Sequence, residues 1–236
     1  MLNVREIAPS FDLKLDCDGP VFSEDLESLV EALWQAEQTR RGKAMHDGRI
    51  MSAVRVSATG IHGCTVGYRH LIAQRARPEL FSQLCVRPVA VSGLLHCRGG
   101  IVFGHRANSM TQDAGLWELV PSGGIDTNNS GTTVDYIAQI RAELSEETGI
   151  TATDITTIRP FCLVEDTESH VLDIGISLES SLEAAQVLQI HRETASREYD
   201  ELCVVPQAQI DRFMADGASR LVGVSMALLR QSNQLS

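Results

Sequence analysis

The chain has 236 residues, of which 43% are hydrophobic and 22% charged, as is ordinary for a globular protein. This length predicts one large domain, or one domain with an extension. The composition excludes collagen, a long coiled coil and general disorder, and the longest apolar runs are too short to span a bilayer. No basic segment followed by an apolar stretch opens the chain. We therefore expect a cytoplasmic protein without a signal peptide or membrane association.

The net charge of -11 comes from 20 basic and 31 acidic residues, which is the opposite sign from a general nucleic-acid binder. Residues 60–112 nevertheless contain six arginines and one acid, Glu79. A local basic stretch can receive a small anion, although each arginine taken alone is more commonly solvated or ion-paired. The six cysteines are scattered without a CxxC pair, so we expect mostly buried thiols rather than zinc or disulfides.

The first third of the chain predicts a mixed α+β segment. Alternating residues 13–17 indicate a short strand, and Ser23 followed by two acids indicates a helix start. The apolar residues of that helix recur at helical spacing: Leu26, Leu29, Val30, Leu33 and Trp34. Residues 51–58 and 63–67 predict a hairpin, and residues 68–75 a short helix or loop.

Arg87-Pro88 predicts the entry to a main domain. We expect residues 1–84 to form an extension packed on it and residues 85–236 to form the main domain itself. The predicted strands of that domain cover residues 89–95, 101–103, 117–120, 156–164, 171–178 and 202–205. Its predicted helices cover residues 133–148, 207–215 and 218–231. The mixture indicates an α/β fold with helices packed on a mixed sheet.

Three closely spaced glutamates are the strongest candidates for functional residues in the sequence. Glu143, Glu146 and Glu147 stand at i, i+3 and i+4, which places them on one face of a helix. Like charges so placed repel one another, and a bound hard cation relieves that repulsion. Mg²⁺ prefers oxygen ligands and keeps phosphate oxygens in its shell. A glutamate face alone is more commonly a solvated surface, so the flanking residues must decide between the two interpretations.

Glycines flank this helix on both sides. Gly149 before Ile150 predicts the end of the helix and the turn into the next strand. The pair Gly123-Gly124 lets the preceding strand pass close to the helix, so the backbone carbonyl of Gly124 can become an additional metal ligand.

The residues 121–124, Pro-Ser-Gly-Gly, and 143–150, Glu-Leu-Ser-Glu-Glu-Thr-Gly-Ile, resemble the box of the Nudix hydrolases. Residues 117–121 look like the strand that leads into such a box. The sequence departs from the family pattern at three points. Ala142 stands at the family's arginine position, with Arg141 beside it, and Val134 stands at the early glutamate position. Four extra residues, expected within residues 126–132, lengthen the box.

The resemblance implies a Nudix fold, with a mixed sheet between helices, and the hydrolysis of a nucleoside diphosphate derivative. It implies Mg²⁺ as the cofactor, with Mn²⁺ as a substitute. Its implied metal ligands are Glu143, Glu146, Glu147 and Gly124. Its implied catalytic residues are Glu146 and Glu147. A base from outside the box remains open among four acids: Glu165, Asp166, Glu168 and Glu198.

The upstream half resembles, more weakly, the Nudix branch that hydrolyses UDP-glucose. The candidate substrate-binding residues are Tyr68, Arg69, Arg87 and Trp117. The competing interpretation is that Tyr68 packs in the core and Arg69 caps a turn. We expect a nucleotide substrate, either a nucleotide sugar or ADP-ribose, and leave a homodimer open. Two alternatives to an enzyme remain: a Nudix-fold module that binds a nucleotide without cleaving it, and a structural domain with an accidental acidic face.

Overall fold

The computed structural model describes residues 1–17, 19–42, 45–110, 112–128, 131–194, 196, 198–218 and 220–235. The first elements in chain order are β1 (Leu2–Glu6), β2 (Asp12–Cys17), α1 (Glu24–Arg41), β3 (Arg49–Val56), β4 (Gly60–Gly67), α2 (Tyr68–Ala76), α3 (Phe81–Leu84), β5 (Val89–Arg98) and β6 (Gly100–Arg106). The remaining elements are β7 (Trp117–Leu119), β8 (Ser122–Gly124), α4 (Tyr136–Thr148), β9 (Ile155–Asp166), β10 (Leu172–Glu183), α5 (Ala184–Glu193), β11 (Tyr199–Val205), α6 (Ile210–Asp216) and α7 (Gly223–Leu235).

A large mixed sheet forms the centre of the fold, with the strand order β1-β9-β10-β5-β6-β11. Strands β7 and β8 pair with β6 and β5 respectively, and β10 runs parallel to β5. Successive side chains of β6 point to opposite faces, as the pleat requires. Val102 joins the core under α4 and α5, whereas Ile101 and Phe103 join the core under α6 and α7. The sheet therefore lies between helices, as the sequence predicts.

A second sheet, in the order β2-β4-β3, packs its Leu13, Met51 and Ile61 into the core shared with the large sheet. Helices α1 and α2 cover its other face. Helix α1 begins after Ser23, whose hydroxyl accepts from the Leu26 amide, and ends at Gly42 in the left-handed conformation. The predicted hairpin is confirmed as β3 and β4.

Contacts cross the predicted boundary between residues 84 and 85. The amide of Ala53 donates to the Arg87 carbonyl (2.8 Å), and the amide of Met51 donates to the Ile125 carbonyl (3.1 Å). Strand β1 lies in the large sheet, where it pairs with β9. The division into residues 1–84 and 85–236 stays a prediction.

Two predicted helices begin later than expected because residues just before them bond to other segments of the chain. The helix predicted from residue 133 begins at Tyr136, since the Val134 amide donates to the Leu13 carbonyl (3.0 Å). The helix predicted from residue 218 begins at Gly223, since the Val222 amide donates to the Trp117 carbonyl (2.9 Å).

The sequence analysis did not predict β1, the short β8 or α5. Helix α5 had a readable signal in the capping pair Glu183 and Gln186. Of the thiols, Cys64 and Cys162 are buried, Cys97 and Cys203 are half-buried and Cys85 is exposed, and the side chain of Cys17 lies outside the described residues. Over the described residues, no helix is both long and apolar enough to cross a membrane.

Candidate active site

A cleft of about 680 Å³ opens between α2, the strand pair β5–β8 and helix α4. Tyr68 and Arg75 of α2 and Glu143 of α4 contribute to its polar lining. Two further acids line it: Glu118 in β7 and Glu198 just before β11. A neighbouring hollow, also about 680 Å³, shares Gly124 and Glu143 with the cleft and adds Glu146. The acidic face of α4 therefore borders both spaces.

Helix α4 is oriented by its apolar side. Ile140 and Leu144 are fully buried against the large sheet, which turns the adjoining face towards the cleft. On that face Glu143 lines the cleft, Glu146 lines the hollow and Glu147 is buried. The Asp135 side chain accepts from the Ala138 amide at 2.9 Å and starts the helix. Gly149 ends the helix with φ of 78°, in the left-handed conformation that glycine adopts most readily.

Glu147 is the most buried acid of this helix, at 2% exposure. Its Oε2 accepts from the Ser122 amide at 3.0 Å, whereas its Oε1 is buried and has no hydrogen-bond partner among the described residues. Burial, and then the charges of Glu198 and Glu143, raise the pKa of Glu147 well above its ordinary value. A buried acceptor without a partner is costly, so this oxygen is suited to a cation or to a donor from a ligand.

Glu143 is half-buried and packs against Gly123. Its Oε1 accepts from the Gln139 side chain at 2.7 Å, and burial raises the pKa of Glu143 to about 7. A Cβ atom at Gly123 would lie 2.8 Å from Glu143 Cγ and still closer to the carboxylate. The expected close passage of the glycine pair therefore occurs at Gly123, while a Cβ at Gly124 would meet open space.

Glu198 is the acid from outside the box that lies beside the helix carboxylates. Its charge raises the pKa of both Glu143 and Glu147, and it lines the cleft. Strand β11 brings it there by pairing with β6 next to β7.

The other three candidate bases are engaged elsewhere. Glu165 pairs with Arg5 and Arg87. Glu168 is exposed and contacts the N-terminal amine. Asp166 lines a different part of the cleft, and accepts from the Ser169 hydroxyl at 2.6 Å.

The residues around the acidic face suit a metal in their chemistry, because carboxylate and carbonyl oxygens are the ligands that Mg²⁺ prefers. The unpartnered Oε1 of Glu147 supports the same assignment. The described side chains, however, include no group of three His, Cys, Asp or Glu already gathered to hold a metal ion. Glu143 and Glu147 are the side chains that would hold such a cation.

Glu146 differs from its two neighbours because it is exposed and makes no hydrogen bond or ion pair with any described residue. Arg141 and Ala142 are exposed as well, and Arg141 has no ion-pair partner in the part of the chain that the structure describes. Among the described residues, the side chain that donates a hydrogen bond to Glu143 is Gln139 and not an arginine. Val134, at the early glutamate position, is buried in the core.

Of the predicted substrate-binding residues, the structure brings Tyr68 to the cleft and places three elsewhere. Tyr68 lines the cleft and meets Trp34 edge-on, with ring centroids 6.2 Å apart. Arg69 turns towards α1, where its Nη2 lies 3.0 Å from Glu27. Arg87 pairs with Glu165 at 2.9 Å. Trp117 borders a separate hollow of about 360 Å³ under α6.

Two arginines that the sequence analysis did not single out do line the cleft. Arg106 is paired with the buried Glu118, which also accepts from the Tyr199 hydroxyl at 2.6 Å. Arg75 donates to the Gln112 side chain at 3.1 Å. Both belong to the arginine-rich stretch noted in the sequence, but periodicity alone did not show which of its arginines line the cleft.

Asp173 lies at the floor of the cleft and is expected to make stability depend on pH. Its carboxyl accepts from the Ser92 hydroxyl at 2.6 Å, and burial raises the pKa of Asp173 from 3.8 to about 6. The folded chain then binds more protons than the unfolded chain between these values. The contribution to stability is present below pH 3.8 and is lost as pH rises through about 6.

The substitution Asp173→Asn removes this titration. The free energy of unfolding of the variant, minus that of the parent, should increase by up to about 3 kcal/mol between pH 3.5 and pH 8, which means a relative gain in stability. Urea unfolding at the two pH values measures it. A difference between variant and parent that is the same at both would contradict the raised pKa.

Comparison with solved structures shows likeness in fold. The chain resembles DR0079 from Deinococcus radiodurans with a TM-score of 0.50 and 14% identity, over 78% of this chain and 98% of that chain. It resembles RenU, a Nudix hydrolase from M. smegmatis, with a TM-score of 0.42 and 18% identity, over 63% and 85%. A bifunctional NMN adenylyltransferase/ADP ribose pyrophosphatase from Francisella tularensis, solved with AMP and a manganese ion, gives 0.42 and 14%, over 69% and 47%.

No protein-family model and no curated protein sequence matches the chain. At these identities the likenesses concern the fold alone. The sheet order and the likeness to DR0079 show an α/β fold with a mixed sheet between helices, as the sequence predicts.

Proposed function

We propose that this protein is a metal-dependent hydrolase that cleaves the diphosphate of a nucleoside diphosphate derivative. The observation that carries the proposal is the buried Oε1 of Glu147, which has no hydrogen-bond partner and lies in an acidic group with Glu143 and Glu198. The charges of Glu198 and Glu143 raise the pKa of the buried Glu147 beside a cleft, an arrangement typical of functional sites.

Glu143 and Glu147 would hold the cation, with the backbone carbonyl of Gly124 as a further ligand. Glu146 remains a candidate ligand or base, because it lines the hollow that Glu143 shares with the cleft. A bound Mg²⁺ or Mn²⁺ supplies neutralisation of the diphosphate and polarisation of the phosphorus. Gln139 orients Glu143 through its hydrogen bond, in place of the arginine missing at residue 142.

Glu198 is our candidate for the general base. It lines the cleft beside the helix carboxylates and can accept the proton of an attacking water. The new bond joins the water oxygen to phosphorus, and the bond that breaks is the one to the bridging oxygen. The products are then two monophosphates, one of them the nucleoside monophosphate.

The substrate class follows from the cleft and from the resemblance. Tyr68 offers an aromatic ring to a base or a sugar at the cleft wall. A nucleotide sugar such as UDP-glucose is our first substrate, and ADP-ribose our second. Arg69, Arg87 and Trp117 have no part in this proposal, because their side chains lie away from the cleft.

A nucleotide-binding module without catalysis is the second candidate function. Two observations favour it: Ala142 stands where the family has its arginine, and the described carboxylates are not gathered at metal-holding distances. Such a module would bind the same nucleotides and release no product.

The test is a mass-spectrometric screen of nucleoside diphosphate sugars, ADP-ribose, dinucleotides and nucleoside triphosphates with the purified protein. We expect monophosphate products from at least one diphosphate derivative with Mg²⁺ or Mn²⁺, and none with EDTA. Nucleotide binding without any product under all metal conditions would replace the hydrolase with the binding module.

A further inference from the structure

Helix α2 forms one wall of the cleft with two side chains. Tyr68 and Arg75 both line this space, although they belong to the segment before the box. They stand seven residues apart, which is about two helical turns or ~10 Å along the helix axis. This spacing puts both residues on the same face of α2.

Arg75 is unusual among the arginines around the cleft because it lacks a counter-ion. Within the described ranges its guanidinium forms no ion pair and donates one hydrogen bond, to Gln112. Arg106, the other arginine that lines the cleft, pairs with the buried Glu118.

The surroundings of Arg75 disfavour its charge on balance. Burial, as the largest effect, and then the neighbouring Arg41 lower the pKa of Arg75, while Tyr68 and Asp113 oppose the shift. A guanidinium has five N–H donors, so several remain for a ligand. A partly desolvated cation without a partner is costly, and an anion entering the cleft would offset that cost.

We propose that Arg75 and Tyr68 form a nucleotide subsite, in which Arg75 binds a phosphate oxygen of the ligand and Tyr68 packs against its nucleoside. This inference rests on the proposed function for the class of ligand, a nucleoside diphosphate derivative. It adds that α2, outside the box, recognises the phosphate. The box helix on the opposite wall supplies the acids.

The test compares Arg75→Gln with Arg77→Gln, both of which remove one positive charge. Arg77 is exposed just after α2, does not line the cleft and has no ion pair with a described residue, so it is the matched control. Binding is measured by calorimetric titration in EDTA, which removes the metal and so excludes turnover. The phosphate ligands are UDP-glucose and ADP-ribose, and the ligands without phosphate are uridine and adenosine.

We expect Arg75→Gln to weaken binding of the better-bound phosphate ligand by about 10- to 100-fold, as for loss of a hydrogen bond to a charged group. Arg77→Gln should bind it as the parent does, and Arg75→Gln should leave nucleoside binding unchanged. Arg75→Lys should recover only part of the affinity, because a lysine lacks the planar fork. The thermal midpoint of Arg75→Gln without ligand should not fall.

Several results would overturn the subsite: no measurable binding of either phosphate ligand by the parent, equal binding by the two glutamine variants, or an equal loss for nucleosides. The same measurements test the proposed hydrolase activity independently of the subsite. Turnover by the parent with an unchanged KM in Arg75→Gln keeps the hydrolase and removes the subsite. Weakened binding in Arg75→Gln, with no turnover of any compound by the parent, keeps the subsite and removes the hydrolase.

Discussion

Replacing Glu143 and Glu147 together with glutamine is expected to lower metal-dependent turnover by more than about 100-fold. Mutating the hydrogen-bond partners of metal ligands already costs about 10- to 100-fold, so the loss of two ligands should cost more. The fold should persist, since glutamine keeps the shape of glutamate. At neutral pH without metal the double variant should be at least as stable as the parent, because burial disfavours both charges.

The matched control is Glu179→Gln with Glu201→Gln, which removes the same formal charge from exposed positions outside the cleft. It should keep the turnover of the parent. Initial rates at saturating Mg²⁺ and urea unfolding in EDTA measure the two effects. A double variant of Glu143 and Glu147 that retains the rate of the control would rule out these residues as metal ligands.

Gly123→Ala is expected to reduce turnover by about 100-fold, the cost that a displacement of about 1 Å can cause at a catalytic group. The new methyl group would occupy the space of the Glu143 carboxylate, which must move away from the cleft. The backbone itself tolerates alanine, since Gly123 is not in the left-handed region.

Gly124→Ala is the neighbouring control. Its methyl group meets open space, and it keeps the backbone carbonyl that we propose as a ligand. Rates of the two variants at equal Mg²⁺ concentrations make the comparison. Equal rates for the two would mean that the position of Glu143 against Gly123 does not matter for turnover.

Much of the fold could be predicted because strong local signals agree with the final packing. Ser23 and Gly42 bound α1 as caps, and the paired strands β9 and β10 follow their apolar patterns. Strand β1 escaped prediction because it is a short, largely exposed edge strand that gains its place by pairing with β9. Such pairing depends on distant residues that no local pattern reveals.

The acidic part of the site was predictable from spacing, since i, i+3 and i+4 positions share a helix face. The basic part was not. Arg69 and Arg75 lie six residues apart on the same helix, yet one pairs with Glu27 on α1 and the other faces the cleft. Which arginine meets a carboxylate depends on how α1 packs against α2, and that is a tertiary property.

The lengthened box also has a physical explanation that the sequence did not supply. Residues 126–132 were expected to form a polar loop, of which residues 129 and 130 lie outside the described residues. The structure joins this loop to the small sheet: the Leu15 amide donates to the Thr132 carbonyl, and the Thr127 amide donates to the Arg49 carbonyl. The extra residues thus connect the box to the extension.

The most direct measurement is a Mg²⁺ titration of thermal unfolding, made on the parent and on the double glutamine variant of Glu143 and Glu147. A ligand that binds only the folded state stabilises it by about 2.7 kcal/mol at 100 times its Kd. For a chain of this size that corresponds to roughly 5–10 °C in Tm. We predict such a rise for the parent and none for the variant; an equal response of the two proteins, or none in either, would contradict the metal site.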